Sequence, residues 1–357
     1  MSTNNHLTYE KISEYYGKIL KTKKDLKTSA CCTLAKLPAY VQEPLKLIAE
    51  EIQTKYYGCG TPFPFVLQGM KILDLGCGTG RDCFVLSYLA GEEGEIVGID
   101  LTDEQLEIAN KYLPLQMEKF SYKKTNVRFL KGYIEDLQTL GLPEEYFDVV
   151  VSNCVVNLSP DKEMVLKEVY RVLKPGGEFF FSDVYVDRRL PNWAKKDPVL
   201  LVECLGGALY WKDFERLVRK IGFHDPRVFC AAKIDLFDKE TIDKIGFAQF
   251  SSVTYRLFKL PQLEDACEDY GQIAKYKGTI PESPHQFVLD NHHLFVKDKP
   301  LAVCSNTALM LTDTRLNVHF DVIGDTATHY GLFAGCAETP LVKIEKLSSG
   351  ISAGGCC

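Results

Sequence analysis

The chain has 357 residues, 46% hydrophobic and 25% charged, which is the composition of a folded globular protein rather than a disordered one. At roughly 150 residues per domain, this length predicts two or three domains. A formal net charge of −6 argues against nucleic acid as a partner. The sequence shows neither a secretory leader nor a run of ~18 apolar residues, so we expect a cytoplasmic protein without membrane contact.

The first half of the chain predicts strands that alternate with helices. After a polar helical lead-in over 1–30, a helix is predicted over 38–56 and a Gly- and Pro-rich loop over 58–64. Strands are then predicted over 71–75, 96–100, 126–130, 147–152 and 178–182, and helices over 80–90, 103–112 and 160–174. Thr102 and Gln105 have the spacing of a capping box. This alternation predicts an α/β fold with a doubly wound parallel sheet.

The second half of the chain has a weaker pattern. Residues 197–222 favour a helix, 226–260 are mixed with a strand at 252–260, and 285–325 favour strands. The last residues, 348–357, form a polar tail that ends in two cysteines.

The most informative local motif is LDLGCGTG at 73–80. Its glycines at 76, 78 and 80 depart from the dinucleotide fingerprint, which requires a glycine where this chain has Arg81. Asp100 ends the next predicted strand, where an acidic residue can accept both hydroxyls of a ribose. The loop resembles the first motif of class I S-adenosylmethionine-dependent methyltransferases, and LKPGG at 173–177 also resembles that family. The resemblance implies the class I methyltransferase fold and S-adenosylmethionine as the cofactor.

The residues after the fourth strand distinguish among methyltransferases. Enzymes that methylate nucleobase amino groups commonly present Asn or Asp followed by two prolines and an aromatic residue to hold a flipped base. This chain has Asn153-Cys154-Val155-Val156 at that point. We therefore expect a substrate other than a nucleobase.

Thirteen cysteines are unusual for a chain with a large core. Ligands of open parallel sheets bind at the carboxyl ends of the strands, and Cys154 lies at such an end. Cys204 precedes two glycines, and Cys59 lies in a glycine loop. The cysteines lack the C-x₂₋₄-C pairs of structural zinc sites, so zinc would need a spatially assembled site. Free cysteines are often packed as small hydrophobes, which is the default for Cys77, Cys83, Cys230, Cys267, Cys304 and Cys336.

Six segments, in order and in spacing, are similar to arsenite methyltransferases over about residues 10–330. They are LKTSACC (26–32), YYGCG (56–60), SNCVVNL (152–158), FSDVY (181–185), ECLGGALYW (203–211) and YRLFK (255–259). The terminal GGCC resembles the cysteine-bearing tails of that family.

The resemblance implies that four cysteines handle arsenic: Cys31, with Cys32 as the alternative, Cys59, Cys154 and Cys204. Arsenic(III) itself would be bound by Cys59, Cys154 and Cys204. It also implies a set of cofactor contacts: Asp74, Gly76, Cys77, Gly78, Gly80, Asp100, Leu101, Gln105, Ile134, Glu135 and Asn153. Glutathione or thioredoxin is the implied external thiol.

The resemblance implies the following domains. An N-terminal helical segment (1–65) carries Cys31 and Cys59, and a cofactor-binding methyltransferase domain spans 66–230. The rest of the arsenic-binding region spans 231–285, an α+β C-terminal domain 286–347, and a flexible tail 348–357.

The chemistry of arsenic agrees with this reading. Trivalent arsenic is soft and prefers thiolates. Its lone pair can attack the methyl group of a sulfonium, so no general base is required. Two alternatives remain: a class I methyltransferase acting on another small molecule, with the cysteines merely buried, or a non-catalytic arsenic-binding protein. Turnover of S-adenosylmethionine with and without arsenite distinguishes all three.

Overall fold

A computed structural model describes Tyr9 and residues 12–19 and 37–334. Its centre is an eight-stranded sheet in the order β3-β2-β1-β4-β5-β8-β7, with β6 paired to β5. The strands are β1 (Lys71–Leu75), β2 (Glu95–Asp100), β3 (Val127–Lys131), β4 (Phe147–Asn153), β5 (Leu173–Val186), β6 (Leu209–Tyr210), β7 (Arg227–Ile234) and β8 (Phe250–Phe258). The pairs among β1 to β6 are parallel, whereas β8 pairs antiparallel with β5 and β7 pairs antiparallel with β8. The predicted doubly wound α/β fold is confirmed.

Helices cover both faces of this sheet, which explains why its central strands are apolar on both sides. The helices are α1 (Ala39–Leu47), α2 (Glu50–Thr54), α3 (Arg81–Ala90), α4 (Asp103–Lys119), α5 (Lys162–Val172), α6 (Pro198–Val202), α7 (Trp211–Ile221), α8 (Lys239–Ile245) and α9 (Ser305–Thr312). In β1, Ile72 packs into the core with α3 and α4, whereas Leu73 packs into the opposite core with α5 and α7. The sheet therefore holds its carboxyl ends rigidly at one edge.

Several predicted boundaries were wrong. The helix predicted over 38–56 is broken, because Ile48 is extended (ψ 138°) between α1 and α2. α4 continues through Pro114 to Lys119 rather than ending at 112. The LKPGG segment begins the long strand β5 instead of only ending a helix. Residues 197–222 form α6, β6 and α7, since a loop with two glycines separates them.

The capping box predicted at Thr102 and Gln105 does not form. Thr102 occupies the N-cap position but makes no side-chain cap hydrogen bond. Gln105 instead donates Nε2 to the carbonyl of Tyr16, 2.8 Å away. A tertiary contact with the N-terminal segment has replaced the local one.

The C-terminal part packs its own core around α9 and three small sheets. Their strands are β9 (Glu268–Asp269), β10 (Ile273–Tyr276), β11 (Gln286–Val288), β12 (Leu294–Val296), β13 (Pro300–Ala302), β14 (Phe320–Ile323) and β15 (Gly331–Leu332). The expected strands of 285–325 are present, with α9 between them. A buried Glu178 joins this part to the large sheet through ion pairs with Arg256 and Arg315. The predicted boundary between the methyltransferase domain and the rest of the arsenic-binding region, at residue 230, falls inside β7. The domain boundaries stay a prediction. No helix in the described part of the chain is long and apolar enough to cross a membrane.

Candidate active site

A cleft opens at the carboxyl ends of β1, β2 and β4, with an empty volume of about 990 Å³ that includes its open mouth. Every cofactor residue predicted from the sequence lines it except Gly80: Asp74, Gly76, Cys77, Gly78, Asp100, Leu101, Gln105, Ile134, Glu135 and Asn153. Gly80 is the left-handed N-cap of α3 instead (φ 82°), packed beside Phe129. The sequence motif and the strand ends thus converge on one cavity.

The glycine loop is held against its neighbours closely enough to exclude side chains. Gly76 has a φ of 73°, and a Cβ there would collide with the side chain of Val155. The next glycine, Gly78, donates its backbone N–H to Oδ2 of Asp100 at 2.8 Å. The other oxygen of Asp100 accepts from the backbone of Thr102 at 2.8 Å. Asp100 therefore fixes the loop while facing the cavity.

The polar lining suits a cationic, hydroxyl-bearing ligand. Burial raises the pKa of Asp100, and burial together with the nearby Asp82 raises the pKa of Asp74 well above its ordinary value. Among the described residues, two buried acceptor atoms, Oε1 of Gln105 and Oε2 of Glu135, have no hydrogen-bond donor. Unsatisfied buried acceptors are costly, so their presence around a cavity marks places for ligand donors. S-adenosylmethionine supplies such donors and positive charge, so these residues fit it.

An aromatic wall that the sequence did not reveal closes the cleft from the N-terminal side. The hydroxyl of Tyr9 donates to Oε1 of Glu135 at 2.8 Å. Tyr16 lines the same cavity and donates its hydroxyl to the carbonyl of Val202 at 2.9 Å. The N-terminal segment thus contacts both the cofactor cavity and the loop that carries Cys204. Because these contacts join residues more than a hundred positions apart, no local pattern could have indicated them.

Cys59, Cys154 and Cys204 come together at the inner edge of the cleft. All three are buried and belong to one cluster, with exposed fractions of 0%, 3% and 0%. Cys59 and Cys154 form a disulfide, with their Cα atoms 5.7 Å apart. The Sγ atom of Cys204 donates to the carbonyl of Cys154 at 3.4 Å. Three cysteines that are far apart in the sequence therefore lie together, and their role in arsenic binding stays a prediction. Cys31 and Cys32 lie outside the described residues.

The backbone at two of these cysteines is strained. Cys154 and Cys204 have φ angles of 60° and 61°, in the left-handed region that side chains other than glycine, Asn and Asp rarely adopt. Cys154 turns there because β4 ends at Asn153, and Cys204 turns after α6. Gly207 allows that turn to approach the backbone of Asn157 closely. Such strain often accompanies function, since it aims a side chain that relaxed backbone would not.

Asn153 joins the loop of Cys59 to the strand of Cys154. Its Oδ1 accepts from the backbone N–H groups of Cys59 and Gly60 at 2.9 and 3.0 Å. Its Nδ2 donates to the carbonyl of Gly60 at 2.9 Å. Ser252 adds a hydrogen bond from its hydroxyl to the carbonyl of Cys59 at 2.8 Å. The position of the Cys59 thiol therefore depends on an amide that also lines the cofactor cavity.

A buried carboxyl, Asp183, and a partly buried ammonium, Lys162, lie near the thiol cluster. Burial raises the pKa of the Asp183 carboxyl to about 7 and lowers the pKa of the Lys162 ammonium to about 8. The carboxyl accepts from the backbone of Asn157 and Val184 at 2.9 and 2.8 Å. Charge interactions connect Lys162 with both Asp183 and Cys204. Lys162 therefore places a positive charge near Cys204.

The remaining cysteines differ from one another. Cys77 and Cys83 are buried next to the glycine loop, as the packing interpretation expected, and Cys83 donates to Oδ2 of Asp74 at 3.2 Å. Cys304 is buried among polar groups instead of apolar ones, so the prediction that it packs as a small hydrophobe was wrong. Within the described residues no group of three or more His, Cys, Asp or Glu side chains is arranged to hold a metal ion.

A family model described as a methyltransferase domain matches residues 67–222. Together with the sheet and the glycine loop, this match defines a class I S-adenosylmethionine-dependent methyltransferase.

Full-length relatives narrow the class. The chain is 52% identical to the arsenite methyltransferase of Aquipseudomonas alcaligenes, over 92% of this chain and 94% of that protein. It is 41% identical to the human arsenite methyltransferase, over 97% and 95% of the two chains. The crystal structure of an arsenic(III) S-adenosylmethionine methyltransferase from Chlamydomonas reinhardtii is 51% identical, with a TM-score of 0.81 over 84% of this chain and all of that one. The chain belongs to the arsenite methyltransferase family and methylates trivalent arsenic with S-adenosylmethionine.

Proposed function

We propose that Cys59, Cys154 and Cys204 hold the arsenic atom as thiolates during methyl transfer. The observation that carries this proposal is their convergence in one buried cluster at the edge of the cofactor cleft. Trivalent arsenic is soft and binds thiolate sulfur in preference to oxygen or nitrogen. Three sulfurs make a pyramid around arsenic, and its lone pair then points away from them. The task of these cysteines is to aim that lone pair at the methyl group.

We assign the cofactor contacts to the residues that line the cleft. Asp100 holds the ribose, and Asp74, Gly76 and Gly78 shape the site for the methionine end. Oε2 of Glu135 and Oε1 of Gln105 are acceptors without a donor in the part of the chain that the structure describes, so they suit the donors of the ligand. When bound, S-adenosylmethionine supplies an electrophilic methyl group on a sulfonium.

The disulfide between Cys59 and Cys154 sets the requirement for an external thiol. Two sulfurs in a disulfide cannot bind arsenic, so reduction must come first; it consumes two electrons and two protons from a dithiol or from two glutathione molecules. Transfer of a methyl cation to the lone pair raises arsenic formally from +3 to +5. Two thiols that return arsenic to +3 become a disulfide. A thioredoxin or glutathione system, and hence the reducing cytoplasm, fits this cycle.

Cys31 is the proposed fourth thiol, which exchanges with Cys59 or resolves the oxidised intermediate. The family resemblance alone supports it, with Cys32 as the alternative position.

The valence of arsenic tests the thiol assignments. Arsenite offers three positions to sulfur, whereas methylarsenite offers two because carbon occupies the third. Cys154→Ser and Cys204→Ser should abolish methylation of both substrates. Cys59→Ser should lose methylation of arsenite at low external thiol yet keep methylation of methylarsenite. Both activities are measured as transfer of the labelled methyl group from S-adenosylmethionine.

Cys267→Ser, outside the cleft, is the matched control and should retain both activities. Equal loss of both substrates in Cys59→Ser, with unchanged circular dichroism, would mean that Cys59 only packs the loop. Turnover that does not depend on added arsenical would instead favour another small molecule as substrate.

A further inference from the structure

A second pair of thiols lies outside the cleft, where β9 meets the start of α9. Cys304 is the N-cap residue of α9, and its Sγ accepts from the backbone N–H of Thr307 at 3.4 Å. Its side chain also contacts the hydroxyl of Thr307 at 3.2 Å. Cys267 lies just before β9, which packs against α9, and its thiol interacts with the thiol of Cys304. Cys267 is partly exposed whereas Cys304 is buried, so the pair is reached from the side of Cys267.

The surroundings of Cys304 stabilise negative charge on its sulfur. Nη2 of the buried Arg227 lies 3.7 Å from the Sγ atom, and ion pairs with Asp225 and Asp290 hold that guanidinium in place. The neighbouring thiol of Cys267, the charge of Arg227 and the donors of Thr307 hold the pKa of Cys304 below its usual range. A helix N-terminus favours an anion as well. The pair therefore presents one thiolate beside one thiol.

Cys77 and Cys83 form an internal comparison. Their thiols also interact with each other, but the charged groups that act on them are carboxylates, Asp74 on both and Asp100 on Cys77. Burial, with a further contribution from the nearby carboxylate of Asp74, raises the pKa of both thiols. The two pairs thus share proximity and differ in the charge that surrounds them.

We propose that Cys267 and Cys304 form a two-sulfur binding site for monosubstituted trivalent arsenicals, separate from the methyl-transfer cleft. A monosubstituted arsenical, R–As(OH)₂, has two hydroxyls that sulfur can replace, so two thiols satisfy it fully. Binding forms two As–S bonds and breaks two As–O bonds. The thiol supplies one proton, solvent supplies the second, and two waters leave. Arsenite would keep one oxygen here, so the site favours the methylated species that the enzyme produces.

Phenylarsine oxide is a suitable probe because it is a monosubstituted trivalent arsenical that binds pairs of thiols. The full chain is reduced, freed of reductant and titrated, and bound arsenic is counted by elemental mass spectrometry. Cys267→Ser, Cys304→Ser and the double variant should each bind one equivalent less than the parent chain, because one arsenic needs both sulfurs. A digest of the parent complex should contain an arsenic-bridged pair of peptides carrying Cys267 and Cys304.

Serine is itself a good N-cap, so Cys304→Ser should preserve α9, which thermal unfolding checks. All three variants should methylate arsenite at the parental rate, so failure of this site is distinguishable from failure of the cleft. Unchanged stoichiometry, or a loss in only one of the single variants, would overturn the paired site. A Cys77–Cys83 bridge of equal yield in the same digest would overturn the role given to Arg227.

Discussion

Replacing Asn153 by leucine should separate the two arsenical substrates. Leucine is close to asparagine in size but can neither accept from the backbone N–H groups of Cys59 and Gly60 nor donate to the carbonyl of Gly60. Each such bond contributes about 1 kcal/mol net, so about 3 kcal/mol of stabilisation of the Cys59 loop is lost. At about 1.4 kcal/mol per tenfold change, the population of the held loop falls up to ~100-fold.

The bond from Ser252 to the carbonyl of Cys59 survives, so the loop is not released completely. We therefore expect kcat/KM for arsenite at low external thiol to fall by about 10- to 100-fold. Methylarsenite needs only Cys154 and Cys204, and its kcat/KM should fall much less. The ratio of the two constants is the measurement. It cancels any loss of cofactor affinity, which lowers both constants together, and calorimetry with S-adenosylmethionine measures that loss separately.

Asn126→Leu is the matched control. Asn126 is as buried as Asn153, at 8% exposure, and its side chain makes two hydrogen bonds, with Ser87 and the carbonyl of Gly91, remote from the thiols. It should lose stability in urea denaturation without changing the substrate ratio. A parental ratio in Asn153→Leu would refute the view that this amide positions Cys59, and an equal fall for both arsenicals would reduce its role to general packing.

Three further outcomes are expected. Asp100→Ala should weaken the binding of S-adenosylmethionine about 10- to 100-fold in calorimetry, since a charged hydrogen bond contributes roughly 1.5–3 kcal/mol. Arsenical binding should stay intact, and normal cofactor affinity would refute the ribose assignment. Gly60→Ala should destabilise the chain by about 1–3 kcal/mol, because its Cβ would overlap the side chain of Ser182, and adding Ser182→Gly should recover part of the loss if this clash is the cause. Burial raises the pKa of Asp183 to about 7, above its value of about 3.9 in an unfolded chain, so its contribution to stability is complete below pH ~4 and disappears as pH rises through 7. Denaturation midpoints of Asp183→Asn between pH 5 and 8 should then vary less than those of the parent chain, and identical slopes would contradict the assignment.

The sheet and the glycine loop could be predicted from the amino-acid sequence alone. The strands at β1 and β4 are short apolar runs, and the glycine loop needs only a few consecutive residues to be recognised. Asp100 follows from its place at the end of the next strand. Features of this kind depend on spacing within a dozen residues, which a single sequence displays. The cysteine set was named through the family resemblance, since no local pattern connects Cys59, Cys154 and Cys204.

The arrangement of these cysteines, in contrast, became visible only in the folded chain. The disulfide joins residues 95 positions apart, and the strain at Cys154 and Cys204 arises where a strand and a helix end against each other. The contact between Gln105 and Tyr16 replaced a local cap for the same reason, since it joins α4 to a distant segment, while the backbone N–H of Thr102 donates to Asp100 instead. Cys304 read as a small hydrophobe until the fold placed it beside Arg227 and Cys267. Charge and reactivity at a buried side chain are set by what packs around it, and packing joins residues that are remote in sequence.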